Sequence, residues 1–210
     1  MTEGDTLLLE ALAPAQRLGL IGAAPLEDHL RQARAMAGAL LDSVDAKPCL
    51  LADLGSGSGL PGLPIAWWNP EVEAVLIEAS ERRADLLRVA VEALGLATRV
   101  RIEARTAEEV GRDPHWRDCF KAVVARSFGP PATTAECAAP LLEAGGIVVV
   151  AEPPTGSADR WEPIGETDLG LELDWVGVRD GVHLVQLRQV TACPERYPRA
   201  TGVPRRRPLW

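Results

Sequence analysis

Cysteine is scarce. Four residues among 210 (Cys49, Cys119, Cys137 and Cys193) lie far apart, with no Cys-x-x-Cys pair and no Cys/His pairing at metal-ligand spacing. That distribution argues against a disulfide framework or a zinc site, so reduced thiols and no metal are expected. No apolar run approaches the ~20 residues of a membrane span. The acidic start, Met1-Thr2-Glu3-Gly4-Asp5, lacks the charged and apolar regions of a signal peptide. The sequence therefore predicts a soluble, cytoplasmic protein with no membrane partner. Basic charge is in deficit too, since 22 Lys and Arg face 30 Asp and Glu for a net −8. The bulk surface will not attract polyanions, and any nucleic-acid contact must come from a local basic patch. What is present suffices for a core, with 47% hydrophobic and 25% charged residues in a length that suits one large domain.

The first 45 residues read as helical. Leu7, Leu8, Ala11 and Leu12 fit one short amphipathic face that Pro14 should end or kink. Leu26, Leu30, Ala33, Ala37, Leu40, Leu41 and Val44 share a face of a longer helix. After Lys47-Pro48 the period changes, and Cys49 to Ala52 reads as a buried strand feeding Asp53 and a glycine cluster. Strand-like runs recur at Val72–Ile77, Val100–Glu103, Lys121–Ala125 and Ile147–Ala151, the last entered through a turn at Gly145-Gly146. Helical patterns separate them. One follows Ser80 through Ala84, Leu87, Val91 and Leu94 to Gly95, a short one covers Thr106–Val110, and one covers Ala132–Leu142. Such alternation implies a parallel sheet covered on both faces. Pro153 to Gly165 reads as a loop. Leu171–Val178 and Val182–Gln189 flank Arg179-Asp180-Gly181, a hairpin signal. The expectation is an α/β fold with seven strands, mostly parallel, closed by an antiparallel hairpin.

The most informative segment is Asp53-Leu54-Gly55-Ser56-Gly57-Ser58-Gly59-Leu60-Pro61-Gly62, where the first strand hands over to a helix. Ligands bind at that carboxyl edge in doubly wound sheets, and glycines there permit close backbone approach. Gly57 to Gly62 satisfies G-x-G-x-x-G, with Glu78 at the spacing of a ribose-binding acid, so a dinucleotide site is one reading and a structural glycine turn another. Asp53 at the strand's end favours a third. A carboxylate repels a pyrophosphate but suits an amino-acid ammonium. Asp-x-Gly-x-Gly-x-Gly resembles the first motif of class I S-adenosylmethionine-dependent methyltransferases.

Three further stretches resemble one family of these, the glucose-inhibited division protein B family, which methylates N7 of a guanine in small-subunit ribosomal RNA. Asp53 to Ala66 is similar to its first motif, Arg105-Thr106-Ala107-Glu108-Glu109 to its segment along the adenine, and Val123 to Ser127 to its segment with a cofactor-side arginine. The tail from Arg196 to Leu209 is similar to its closing signature. The resemblance implies a class I methyltransferase-like Rossmann fold and S-adenosylmethionine as cofactor. By the resemblance, cofactor contacts would fall at Gly55, Leu60, Ala107, Glu108 and Arg126, and the glycine turn with its two acids adds Asp53, Gly57, Gly59 and Glu78. The patterning along the chain divides it into a helical segment 1–45, an S-adenosylmethionine-binding methyltransferase domain 46–192 and a basic tail 193–210.

The tail carries five arginines and no acid after Glu195. Arginine forks bind phosphate and stack on bases, so Arg199, Arg205, Arg206 and Arg207 are candidate contacts to ribosomal RNA or the small subunit. A solvated basic terminus is the bland alternative. Two features depart from the family. Glu152-Pro153-Pro154 stands where a lysine is usual, and of the longer amino-terminal motifs only Asp28-His29-Leu30-Arg31 has an echo. His29 itself reads as a surface or packing residue, and Trp67-Trp68 as packing rather than a base-stacking platform. Guanine N7 has a lone pair and no proton, so the reaction needs no general base and no catalytic residue is singled out. A methyltransferase for a small molecule or protein, or a non-catalytic binding module, are the alternatives.

Overall fold

The continuous apolar runs assemble into one seven-stranded sheet, β1 (Cys49–Leu54), β2 (Val72–Ile77), β3 (Val100–Glu103), β4 (Phe120–Arg126), β5 (Leu142–Ala151), β6 (Leu171–Arg179) and β7 (Val182–Gln189). The computed structural model describes residues 3–44, 49–155 and 158–210. Strand order is β3-β2-β1-β4-β5-β7-β6. The first five of these run parallel, while β7 is antiparallel to both β5 and β6. Helices α1 (Glu3–Arg17), α2 (Leu26–Ser43), α3 (Gly62–Trp68), α4 (Glu81–Ala93), α5 (Ala107–Gly111), α6 (Pro131–Ala138) and α7 (Val203–Arg206) complete the fold.

Both faces of the sheet are buried at β1, β2, β4 and β5, which is why these strands read as largely apolar runs rather than alternating ones, while the edge strand β6 is mostly exposed. Ala122, Val124, Ile147 and Val149 enter one core with Leu8, Met36, Leu40, Leu63 and Leu87 from α1 to α4. Val123, Ala125, Val148 and Val150 enter a second with Val110, Cys137, Leu141 and Trp161. Truncating a side chain such as Leu40, wholly buried, removes about 2–5 kcal/mol.

The structure departs from the sequence reading in four places. Helix α1 runs through Pro14 to Arg17 instead of ending there, because its stripe Leu8, Leu12 and Ala15 is buried and packing holds the turn beyond the proline. The helix read over Ala132–Leu142 is α6 followed by a 3-10 turn at Ala139–Leu141, where Pro140 denies the ladder a donor. Gly145-Gly146 lies within β5 rather than before it. The ladder there steps from Phe120↔Leu142 to Ala122↔Ile147, a bulge with Gly145 at φ +82°. The Pro-rich loop contains 3-10 turns at Ala158–Arg160 and Glu162–Glu166, which bury Trp161 and Ile164. The boundary expected at 45/46, Lys47-Pro48, and Gly156-Ser157 of that loop lie outside the described residues.

Candidate functional site

Strands β2 and β3 extend the sheet to one side of β1, and β4 and β5 to the other. The β1/β4 boundary is thus the switch point at which open α/β sheets bind ligands. The glycine turn sits on it. Gly55, Gly57 and Gly59 all take left-handed φ, at +62°, +59° and +93°. At Gly55 the requirement is double, since a β-carbon would also lie 2.7 Å from Phe128 Cδ2. Inside the turn the Ser56 N–H donates to the Ile77 carbonyl at 2.9 Å, and the Gly59 N–H donates to the Ser56 carbonyl at 2.7 Å. Leu60 drops its side chain into the core beneath.

Two carboxylates hold this turn from opposite sides. Asp53 is fully buried and does not open onto the turn's surface. Its Oδ2 accepts the Gly62 N–H at 2.9 Å, and its Oδ1 has no partner among the described residues. Burial pushes the Asp53 pKa up to about 7 against the pull of the Gly62 N–H, the Ser56 hydroxyl and Arg126. Glu78, 2% exposed, follows β2. Its Oε2 accepts the Gly57 N–H at 3.0 Å, while Oε1 takes the Ser80 N–H at 2.7 Å and Arg83 at 2.8 Å.

Across the edge, Thr106 and Glu109 form a reciprocal capping box on α5. The Thr106 Oγ1 accepts the Glu109 N–H at 3.2 Å, and the Glu109 carboxylate accepts the Thr106 N–H at 2.8 Å. That N–H, more than any other group, holds the Glu109 carboxyl below its ordinary value. The box fixes the backbone of Ala107, which is buried, and of Glu108, whose Oε1 accepts the Gly202 N–H at 2.8 Å.

Arg126 ends β4 half-buried. Its Nη1 donates to His29 Nδ1 at 3.0 Å and Gln32 Oε1 at 2.9 Å, both one turn apart on α2. The His29 Nε2 side meets the Gly22 carbonyl at 3.3 Å, so the ring bridges a loop and the arginine rather than merely packing. Burial lowers the Arg126 pKa, and Asp53 opposes that shift. Phe128 and Gln32 are site residues that the sequence did not reveal. An aromatic just past the carboxyl end of β4 was the available signal for Phe128, whereas nothing marked Gln32. Beyond β4 opens a cleft of about 330 Å³ lined by Arg126, Ser127, Phe128, Glu152, Pro153 and Arg160, among others. Trp67 and Trp68 lie away from it. Their indole N–H groups donate to the Gly4 carbonyl and Asp5 Oδ1, and Arg34 covers Trp68 at 3.9 Å.

The tail is clasped to the body. Arg117 donates to the carbonyls of Cys193 at 2.6 Å, Pro194 at 3.1 Å and Tyr197 at 2.8 Å. Arg199 turns inward onto Glu136, which is wholly buried, with Nε–Oε1 at 2.8 Å and Nη2–Oε2 at 2.6 Å. Its Nη2 also caps the Arg207 carbonyl at 2.7 Å. Arg205, Arg206 and Arg207 are exposed on and just after α7, which packs against α6 through the Thr133 hydroxyl and the Pro204 carbonyl. The structure therefore separates Arg199 from the other three.

Among the described residues no group of three His, Cys, Asp or Glu is placed to hold a metal ion, and no helix is long and apolar enough to cross a membrane. A family model described as rRNA small subunit methyltransferase G (GidB) matches residues 15–154. A ribosomal RNA small subunit methyltransferase G of Pelotomaculum thermopropionicum is 37% identical over 76% of this chain and 69% of its own. One of Rubrobacter xylanophilus is 37% identical over 81% of this chain and 73% of its own. Among solved structures, a geranyl diphosphate C-methyltransferase of Streptomyces coelicolor in complex with S-adenosyl-L-homocysteine superposes with a TM-score of 0.58 at 14% identity, covering 75% of this chain and 80% of its own. At that identity the likeness establishes the fold, the Rossmann-like sheet of class I methyltransferases.

Proposed function

The chain belongs to the rRNA small subunit methyltransferase G family, and from that premise we propose that it transfers a methyl group from S-adenosylmethionine to N7 of a guanine in small-subunit (16S) ribosomal RNA. The observation that carries this reading is the glycine turn at the switch point, buttressed by Asp53 and Glu78. The backbone is left-handed at Gly55, Gly57 and Gly59, and a β-carbon at Gly57 would meet nothing nearer than the Gly55 carbonyl at 3.7 Å, so the turn lies open to a ligand there. These features fit S-adenosylmethionine. Gly55, Gly57 and Gly59 would line its amino-acid end, with Asp53 beneath them. Glu78 would take the ribose hydroxyls on lone pairs that its backbone partners leave open. Ala107 and Glu108 would lie along the adenine, and Arg126 would orient the carboxylate end.

When bound, S-adenosylmethionine supplies an electrophilic methyl carbon on a sulfonium. The guanine N7 lone pair forms the new bond while the carbon–sulfur pair stays with sulfur, and no proton moves. The chain's own task is then alignment and exclusion of water rather than acid–base chemistry. Arg126 is held by His29 and Gln32, and arginine does not serve as a base. Arg205, Arg206 and Arg207 supply the local basic patch that an acidic protein needs to meet a polyanion, while Arg199 secures the backbone they stand on. Acting on ribosomal RNA, the protein works in the cytoplasm.

Mapping modifications of small-subunit RNA by mass spectrometry, with and without the protein and S-adenosylmethionine, tests the proposal. One additional 7-methylguanine is expected. Methyl transfer to another acceptor with the RNA unchanged, or tight NADH binding without S-adenosylhomocysteine binding, refutes it.

A further inference from the structure

Glu152 follows directly on β5 and lines the cleft beside Arg126, Ser127 and Phe128. It also borders an adjoining hollow of about 270 Å³ with His29, Gln32 and His183. Its side chain is 8% exposed. The other buried carboxylates of this edge and of the tail, Asp53, Glu78 and Glu136, each accept backbone N–H groups of the fold. Glu152 does not. Its carboxylate has one partner among the described residues, Arg160 on Oε2. A carboxylate accepts about four hydrogen bonds, so Arg160 orients this one without saturating it. The backbone N–H of Glu152 is tied to the His183 carbonyl at 2.9 Å, which fixes the residue's base.

We infer that Glu152 reads the Watson–Crick edge of the acceptor purine, accepting the N1–H and the 2-amino group of guanine. The inference rests on the proposed guanine-N7 reaction and names the residue that selects the base. Guanine presents two adjacent donors on that edge, and a carboxylate is their complement. Adenine presents a lone pair at N1, which a carboxylate repels. Glu152 stands two strands from the glycine turn on β1, on the same carboxyl edge of the sheet. Methylation leaves the ring cationic and its N1–H more acidic, so a carboxylate at that edge interacts more strongly as the reaction proceeds. An acid where the family resemblance leads one to expect a lysine thus acquires a role that does not oppose RNA binding.

The test compares kcat/KM on small-subunit RNA carrying either guanosine or inosine at the mapped acceptor position. Inosine keeps N7 and N1–H and lacks the 2-amino group. The wild-type protein should favour guanosine by at least about ten-fold, the loss of one hydrogen bond to a charged group. Glu152→Gln should lose activity on guanosine by about ten- to a hundred-fold, and its preference over inosine should shrink to under about three-fold. S-adenosylhomocysteine affinity, measured by calorimetry, should stay unchanged in the variant and shows that it is folded. Glu152→Asp keeps the charge and should retain the preference at reduced rate, which covers the case of a poorly folded amide variant. Wild-type kinetics in Glu152→Gln, or an undiminished preference for guanosine in it, overturns the inference. A wild-type protein that binds S-adenosylhomocysteine but methylates neither RNA refutes the RNA reaction itself, and this inference falls with it.

Discussion

Replacing Arg199 with alanine removes the guanidinium from a carboxylate that water cannot reach. Glu136 is 0% exposed, and Arg199 supplies two charge-assisted bonds at 2.8 and 2.6 Å in addition to its backbone N–H at 2.9 Å. Breaking one side of a buried pair costs about 3–5 kcal/mol. The lower end applies here, since the arginine side chain is 28% exposed and its backbone N–H stays in place. A loss of about 3 kcal/mol lowers Tm by about 6–12 °C in a chain of this length. Urea and thermal unfolding followed by circular dichroism measure it. Adding Glu136→Gln to the alanine variant should restore more than half, because the amide oxygen still accepts the backbone N–H and no buried charge remains. A single variant within about 0.5 kcal/mol of wild type, with RNA affinity reduced instead, would mean that Arg199 faces phosphate and that the geometry described above is wrong.

Three other outcomes follow from the site. Gly55→Ala combines a left-handed φ with a 2.7 Å approach to Phe128, and should weaken S-adenosylhomocysteine binding by ten-fold or more in calorimetry; unchanged affinity refutes the turn as the cofactor seat. Asp53, raised from 3.8 to about 7, binds a proton in the folded state that the unfolded chain has already released. Its contribution to stability is therefore present below about pH 4 and lost as pH rises through about 7, on the order of 4 kcal/mol. Wild-type stability relative to Asp53→Asn should fall across that window, and a flat difference between pH 4 and 8 contradicts the burial argument. Replacing Arg205, Arg206 and Arg207 together with alanine should reduce the slope of log affinity for RNA against log salt by about 2–3, and an unaltered slope removes the tail from the RNA interface.

The inner strands were legible because burial on both faces forces long apolar runs, and the glycine turn because its backbone tolerates little else. Boundaries near Pro14 and Gly145 were misread for one reason. Local rules treat proline and glycine as stops, yet Leu12 and Ala15 pack well enough to carry α1 onward, and β5 absorbs its glycines as a bulge. Long-range pairing was not legible at all. Arg126 and His29 are 97 residues apart, and Arg199 and Glu136 are 63 apart, so nothing local told a paired arginine from one free to meet phosphate. Within the tail, Arg199 and Arg205 look alike as letters; only burial distinguishes them.

Arg117 gathers three carbonyls of the tail, and Trp210 donates its indole N–H at 3.0 Å to the carbonyl of Arg160, whose guanidinium pairs with Glu152. The arginine-bearing segment is thus ordered before any polyanion arrives, and docking sacrifices little further chain freedom. It also loses its independence. Warming or mutation that loosens the hydrophobic interior should scatter these cations in the same transition, so affinity for nucleic acid and affinity for the methyl donor ought to vanish at one temperature.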